Sequence, residues 1–419
     1  MRDVACRAVL ISAMSTREYV ACCDLSSLDS TSAQRQPVRP YVVSIETTPH
    51  GAGINTPVCP LAPTITSSTT CLLFIASTTL AATPDDRCAR TRTSYMMPLA
   101  FLKSVWTQYF PPAPTFTEKN VGDQTGKVFL ITGANQGIGY ELAKMLYPSG
   151  ATIYLAGRSE EKTREAIRKI EEALPAPQTP ATLKALVIDL ADLTSVKRAA
   201  QEFTSKEDRL DVLWNNAGIG GAPLGFTTAQ NIESHIGTNC VAPQLFTQLL
   251  LPQLRKATVD APKGSVRVVW TGSAMVETHS VQGGIDWAAI ESTKTTNSMI
   301  DYANSKVGNW FLSIEAEKAF EPYGIYSVVQ NPGNLVTQAY RYIPKAAFQL
   351  LKALILYEPR YGAYTMAYSG LSGEVQNGEF IWPWGRKARS TRQDIHEAIE
   401  KGAAERFWKW CEERNRAYV

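Results

Sequence analysis

The chain reads as an α/β protein built on a doubly wound parallel sheet with helices on both faces. Three observations predict this. From Lys127 onward, short and nearly continuous apolar runs recur, each the length of one strand. Longer amphipathic stretches separate them, as helical crossovers between parallel strands require. The first run, residues 128–131, stops at Gly133, Gly137 and Gly139 and restarts as a helical pattern through Leu142, Ala143 and Leu146.

That first unit sets the chemistry. A strand that breaks at glycines and becomes a helix aims backbone N–H groups and the positive helix end at one spot, which suits a pyrophosphate. Gly133 permits the tight turn, Gly137 lets phosphates approach the backbone, and Gly139 lets the helix pack closely. Asn135, Gln136 and Ile138 complete the cradle. Further strands are expected at 152–156, 183–188, 211–214, 266–271 and 325–330. Helices are expected at 160–174, 193–206, 229–254 and 301–320. Pro175, Pro177 and Pro180 mark a surface loop, and a polar insertion runs from Trp270 to Met299.

Composition divides the chain. Residues 1–95 contain no lysine or tryptophan and sustain no helical or strand period, so they are expected to be a disordered or non-native extension, with the working start near Met96 or Met97. Asp3, Glu18, Asp24 and Asp29 argue against a transit peptide, and the apolar patch at 71–82 is too short and too rich in Ser and Thr to span a membrane. Residues 96–124 form a short lead-in, and 125–419 form a single catalytic domain. Overall, 419 residues with 44% hydrophobic and 19% charged content describe a soluble protein with a sizeable core. A net charge of +3 gives no argument for nucleic acid. Of eight cysteines, only Cys240 and Cys411 fall in the catalytic domain, which argues for a reducing, cytoplasmic setting and against a zinc site. His235 and His279 lack metal-ligand spacing and are expected at the surface or in loops. No Gly-x-Ser-x-Gly elbow and no nucleophile–histidine pairing is visible, which disfavours a hydrolase.

The remaining chemistry sits at strand ends. Arg158 follows the second strand, where a dinucleotide's adenosine ribose would lie. A cation there suits a 2′-phosphate, so NADP(H) is the expected cofactor. Asp189 and Leu190 end the third strand, where an Asp can accept from the adenine amino group. Asn216, Ala217 and Gly218 end the fourth, their small side chains leaving room for a cofactor while Asn216 can bond backbone across strands. Tyr302 and Lys306 lie four apart on one helical face, where the ammonium stabilises a phenolate and makes Tyr302 a usable proton donor and acceptor near neutrality. Ser273 follows the fifth strand and can hydrogen-bond a carbonyl oxygen, with Thr271 as the alternative hydroxyl. Asn239, inside the helix between strands four and five, could hold a water in a proton chain.

These motifs resemble the short-chain dehydrogenase/reductase family over roughly Thr125 to the C-terminus. The markers are Thr132-Gly-x-x-x-Gly-Ile-Gly139, Asn215-Asn-Ala-Gly218, Asn239, Ser273, Tyr302-x-x-x-Lys306 and Asn331-Pro-Gly333 followed by Thr337. The glycine spacing is similar to the compact oxidoreductase branch. The Phe110-Pro-Pro lead-in, the 274–299 insertion and the tail Phe380-Ile-Trp-Pro-Trp-Gly-Arg386 resemble a fungal, retinol-dehydrogenase-like subgroup. The resemblance implies a Rossmann fold. It also implies that Tyr302 is the general acid/base, that Lys306 tunes it and binds the nicotinamide ribose, that Ser273 polarises the substrate carbonyl and that Asn239 anchors a relay water. Val336 and Thr337 would contact the nicotinamide amide and the diphosphate. Gly272 departs from the Ser common before the catalytic Ser, and the gap from Ser273 to Tyr302 is longer than in the shortest members.

The expectation is an NADP(H)-dependent oxidoreductase that interconverts a carbonyl and an alcohol on a bulky, partly apolar small molecule, such as an intermediate of secondary metabolism. Residues 338–372, with Tyr340, Tyr342, Phe348 and Leu351, would supply a lid or core packing. Trp382, Trp384, Trp408 and Trp410 would pack the last strand against the C-terminal helix. Homodimerisation through helices 229–254 and 301–320 is the family's habit, and no membrane span is expected. The alternative is a non-catalytic NADP(H)-binding redox sensor or scaffold, which intact Ser273, Tyr302 and Lys306 argue against.

Overall fold

The structure is a computed structural model that describes residues 20–22, 41–43, 74–75 and 99–419, except 175–176, 293–296 and 337–344. The chain divides into two units, residues 1–95 with 353–355 and residues 96–352 with 356–419. In the first unit the strands Val20–Cys22, Tyr41–Val43 and Phe74–Ile75 pair antiparallel. The rest of the expected extension lies outside the described residues.

In the second unit eight strands form one sheet: β1 (Val128–Thr132), β2 (Thr152–Gly157), β3 (Thr182–Val187), β4 (Val212–Asn215), β5 (Arg267–Thr271), β6 (Tyr326–Gln330), β7 (Phe380–Trp382) and β8 (Arg386–Lys387). Their order is β3-β2-β1-β4-β5-β6-β7-β8, parallel throughout except for the β7–β8 hairpin. Strand order reverses between β1 and β4, and open sheets of this kind bind ligands at such a point, beyond the strands' carboxyl ends. Among the described residues the eleven principal helices are α1 (Leu99–Tyr109), α2 (Gly137–Leu146), α3 (Glu160–Ala173), α4 (Leu193–Lys206), α5 (Ala242–Leu249), α6 (Leu251–Ala257), α7 (Ser298–Phe320), α8 (Lys345–Leu354), α9 (Pro359–Leu371), α10 (Gln393–Glu400) and α11 (Ala403–Asn415). Ser159, Asp192 and Asn297 cap α3, α4 and α7, each accepting from a first-turn N–H.

Because strand side chains alternate, the sheet feeds two cores. Phe129, Ile131, Ile153, Leu155, Val212 and Trp214 pack under α2, α3 and α9. Val128, Leu130, Tyr154, Leu213, Val268 and Trp270 pack under α4, α5, α7 and α11. All six apolar runs expected as strands form β1 to β6, and of these β1, β4 and β5 are buried along their whole length.

Three expectations need correction. The helix expected over 229–254 begins only at Ser234, widens into a π-turn at Gly237–Val241 and breaks at Leu250 before Pro252. The lid expected over 338–372 shrinks at its far end, because α9 is a core helix. A Cβ on Gly370 would lie 2.2 Å from the Trp214 ring and one on Gly362 2.3 Å from Leu335 Cδ1, so one glycine lets α9 press onto the sheet and the other onto the loop past β6. Residues 337–344, including Thr337, Tyr340 and Tyr342, lie outside the described residues. α11 packs against α5 and α7. Gln244 Nε2 donates to Trp408 O at 3.0 Å, and Asn415 Nδ2 donates to Val241 O at 3.1 Å and Gln244 Oε1 at 2.9 Å. Finally, Trp410 and Trp382 enter the core beside α7 and α11, but Trp384 turns the other way and packs on Tyr357 and Tyr361.

The lead-in contributes structure of its own. From α1, Gln108 Oε1 accepts from Asn331 Nδ2 at 2.8 Å, and Thr107 O accepts from Arg386 Nη2 at 2.6 Å. The first helix therefore buttresses the Asn331-Pro-Gly333 turn. No helix among the described residues is long and apolar enough to cross a membrane.

Candidate active site

The cradle is assembled by backbone. Gly133 adopts φ +70° and Gly137 φ +63°, the left-handed region where glycine is at ease. Gly133 N and Ala134 N donate to Ala156 O, which ties the turn to β2. A Cβ on Gly139 would sit 2.8 Å from both Gly133 O and Asn216 Nδ2, so that glycine allows turn, helix and the β4 loop to meet. A Cβ on Gly137 would meet nothing within 4 Å, and this open space beside the α2 N-terminus is where a phosphate fits.

Thr132, named in the glycine motif without a role, is the hub that joins β1 to β4. Its Oγ1 accepts from Asn216 N at 3.0 Å and Ala217 N at 2.9 Å and donates to Trp214 O at 3.2 Å. Asn216 Nδ2 returns a 2.7 Å bond to Thr132 O. Further along the rim, Arg158 is exposed, and Asn135 Oδ1 lies over Gly157, 3.3 Å from where a Cβ would be. Asp189 Oδ1 accepts from Ala191 N at 3.0 Å, while Leu190 turns its side chain into the core. Gln136 is exposed and Ile138 is half-buried, in contact range of Gly362.

The other half of the rim is held by side chains. Lys306 is buried, lies 5.3 Å from the Tyr302 ring centroid, and donates to Thr271 O at 3.0 Å. Asn309, one turn further along α7, donates to the same carbonyl at 2.9 Å. Among the described residues Lys306 forms no salt bridge, so a desolvated ammonium faces the rim with donors to spare, which fits ribose hydroxyls and a phenolate. Asn239, in the π-turn, holds the loop after β4: Oδ1 accepts from Ile219 N at 2.8 Å and Nδ2 donates to Ile219 O at 2.9 Å. The same amide donates to Ser305 Oγ at 2.9 Å, and Ser305 Oγ donates to Tyr302 O at 2.7 Å. A π-turn adds one residue to a helical turn, and here it carries Asn239 to both the loop and α7. Gly218 is small because a Cβ would come within 3.0 Å of Asn239 Oδ1 and 3.6 Å of Lys306 Nζ. The half-buried Ser273 accepts from Met275 N at 3.2 Å. Thr271 Oγ1 instead accepts from Gln330 across the sheet at 3.4 Å, so Ser273 is the hydroxyl nearer the open rim. Val336 N bonds Tyr357 O at 2.9 Å, which places it on the loop past β6.

His235 is not a surface residue. It is buried, its Nδ1 lies 2.8 Å from Glu233 Oε1, and its ring meets the Tyr302 ring edge-on with centroids 6.1 Å apart. Burial alone would raise the Glu233 carboxyl, but hydrogen bonds from the His235 side chain and from the His235 and Ile236 N–H groups hold it below its ordinary value. Asp301 completes a buried group in which one potential ligand atom from each residue lies within 4.8 Å of the others. Both His235 nitrogens already have hydrogen-bond partners, so the group behaves as a bonded network. Sequence gave one hint, a Glu two residues before the His. His279, half-buried, has its imidazole pushed down by burial.

The model of the short chain dehydrogenase family matches residues 127–347. The chain belongs to the short-chain dehydrogenase/reductase family. The short-chain dehydrogenase/reductase iacJ of Pestalotiopsis fici is 53% identical over 77% of this chain and 100% of its own length. A short-chain dehydrogenase/reductase of Phomopsis amygdali is 42% identical over 76% of this chain and 98% of its own. A solved structure, that of an uncharacterised protein of Mycobacterium paratuberculosis, shares the fold with a TM-score of 0.51 and 24% identity over 70% of this chain and 97% of that one. Family membership makes the protein an oxidoreductase with a nicotinamide-dinucleotide fold.

Proposed function

We propose that this short-chain dehydrogenase/reductase uses NADP(H) to interconvert a carbonyl and an alcohol on a bulky, partly apolar small molecule. The observation that carries the reading is the buried Lys306 ammonium beside Tyr302, with its helix tied through Ser305 and Asn239 to the loop that faces the nucleotide cradle. When bound, the reduced nicotinamide supplies a hydride to the carbonyl carbon. In the reducing direction Tyr302 donates its phenolic proton to the carbonyl oxygen, and Lys306 stabilises the phenolate left behind. Ser273 hydrogen-bonds the same oxygen. Both Asn239 amide hydrogens are already used, so a relay water would be held by donating to the second lone pair of Oδ1. Arg158 would pair with a 2′-phosphate, and Asp189 would accept from the adenine. Residues 96–419 are the working unit in this reading, and the substrate class extends to secondary-metabolite intermediates, since the relatives named above are fungal. The retinol-dehydrogenase-like subgroup belongs to the same proposal.

The test is NADPH absorbance loss against a panel of aldehydes, ketones and quinones. Tyr302→Phe is expected to lower kcat by roughly 10²–10⁴, the usual worth of a positioned acid/base group, with NADPH affinity intact. Turnover that survives the substitution would refute the assignment. Tight NADPH binding without turnover on any substrate would favour the non-catalytic sensor.

A further inference from the structure

We propose that His235 is a positioning residue for Tyr302, clamping the loop at 219–222 beside the reacting phenol. The inference rests on the reading above, in which Tyr302 moves the proton. The loop Ile219-Gly-Gly-Ala222 has two central glycines that impose little conformation of their own. Ile219 is held at both backbone groups by Asn239. Ala222 is held at both of its own by other side chains: its N–H donates to His235 Nε2 at 3.2 Å, and its C=O accepts from Ser298 Oγ at 2.7 Å. Two double clamps, three residues apart, fix a segment that would otherwise be slack.

The second clamp is built around Tyr302. A backbone N–H can only donate, so Nε2 is the acceptor, and a neutral ring then carries its proton on Nδ1, which donates to Glu233 Oε1. Glu233 is itself aimed by the backbone N–H groups of His235 and Ile236. The imidazole is thus fixed in tautomer and tilt, and its edge meets the Tyr302 ring at 68°. Ser298 lies four residues before Tyr302 on α7, one turn away. Both hydrogen bonds to Ala222 therefore lead to the phenol, one through ring packing and one through the helix. His235 itself need touch neither substrate nor cofactor.

The experiment compares His235→Phe, His235→Gln and Ser298→Ala, all in the full chain, for kcat, KM and NADPH affinity. Phenylalanine keeps a ring but loses both hydrogen bonds. It should lower kcat by roughly 10- to 100-fold, the scale of an ångström-level misplacement, while NADPH affinity stays unchanged. Glutamine can accept from Ala222 and donate to Glu233, and should restore most of kcat. Ser298→Ala should lower kcat in the same direction by less, and it carries the test if His235→Phe does not fold. Wild-type kcat in His235→Phe, equal impairment of His235→Gln and His235→Phe, or an unaffected Ser298→Ala would each overturn the proposal. Turnover that survives Tyr302→Phe would instead sink the function assigned above. Turnover that needs Tyr302 but ignores His235 and Ser298 sinks only the clamp.

Discussion

The two halves of the rim are made by different means. Around β1 and β2 the loops are short and the contacts are mostly backbone: Gly133 bonds to β2, Gly139 and Gly133 crowd against the first residues after β4, and one hydroxyl, Thr132 Oγ1, bonds the same residues. Beyond β4 and β5 the loops are long and are held by side chains from distant parts of the chain. Asn239 and His235 hold 219–222, and Arg392 holds the 274–299 insertion by donating to Val276 O at 3.2 Å, Ser280 O at 3.1 Å and Val281 O at 2.8 Å. A cofactor shared by a whole family can be met by fixed backbone geometry. A substrate that differs between members is met by side chains on loops, which can change without disturbing the sheet.

If that division is real, damage to each half should separate in the kinetics. The largest effect is expected from Gly139→Val, whose side chain would overlap Gly133 O and Asn216. Overpacking of this kind costs about 1–3 kcal/mol, so NADPH affinity measured by fluorescence titration should fall by roughly tenfold to hundredfold. Normal affinity would mean the cradle is more yielding than its backbone bonds imply. Next, Arg392→Ala should free the insertion. The hydrogen bonds of one charged group are worth about 1.5–3 kcal/mol, so kcat/KM for the carbonyl substrate should drop about tenfold or more with NADPH affinity unchanged. A parallel loss of both would erase the distinction between halves.

Arg158→Leu sharpens the cofactor side alone. Losing one exposed cation–phosphate contact should move the NADP/NAD ratio of kcat/KM toward NAD by roughly tenfold, and an unmoved ratio refutes the role of Arg158. The smallest effect is expected from Glu233→Gln, read as thermal stability against pH. The folded Glu233 carboxyl titrates below its ordinary 4.5, because its hydrogen bonds outweigh its burial. Its contribution is therefore present above that value and lost as pH falls through the lowered one. The stability gap between wild type and variant should be about 1.5 kcal/mol near neutral pH and should close in acid. A gap that is constant with pH would show that the carboxylate charge is not what matters.

The strands β1, β4 and β5 are buried on both faces and so appear as mostly apolar runs, with Arg267 the one charged residue among them. The glycine cradle and the Tyr302–Lys306 pair are local, their parts lying within one turn or one helix. Misreadings fell where long-range contacts decide. α9 falls in the stretch expected to form a lid, yet its glycines serve close packing, Gly370 on Trp214 and Gly362 on Leu335 and Ile138. His235 has polar neighbours in sequence and a core environment in space.

The amino-acid order by itself determined the fold class, the family and the position of each motif at a strand's carboxyl end, because those depend on periodicity and on backbone permissions carried by a few adjacent residues. Tertiary structure alone decided that Thr132 joins β1 to β4, that Asn239 in a π-turn and His235 in the helical turn before it grip one loop, and that α11 lies across α5 and α7. Each of these depends on groups brought within hydrogen-bonding or van der Waals distance by folding, and spacing along the chain holds no record of that distance.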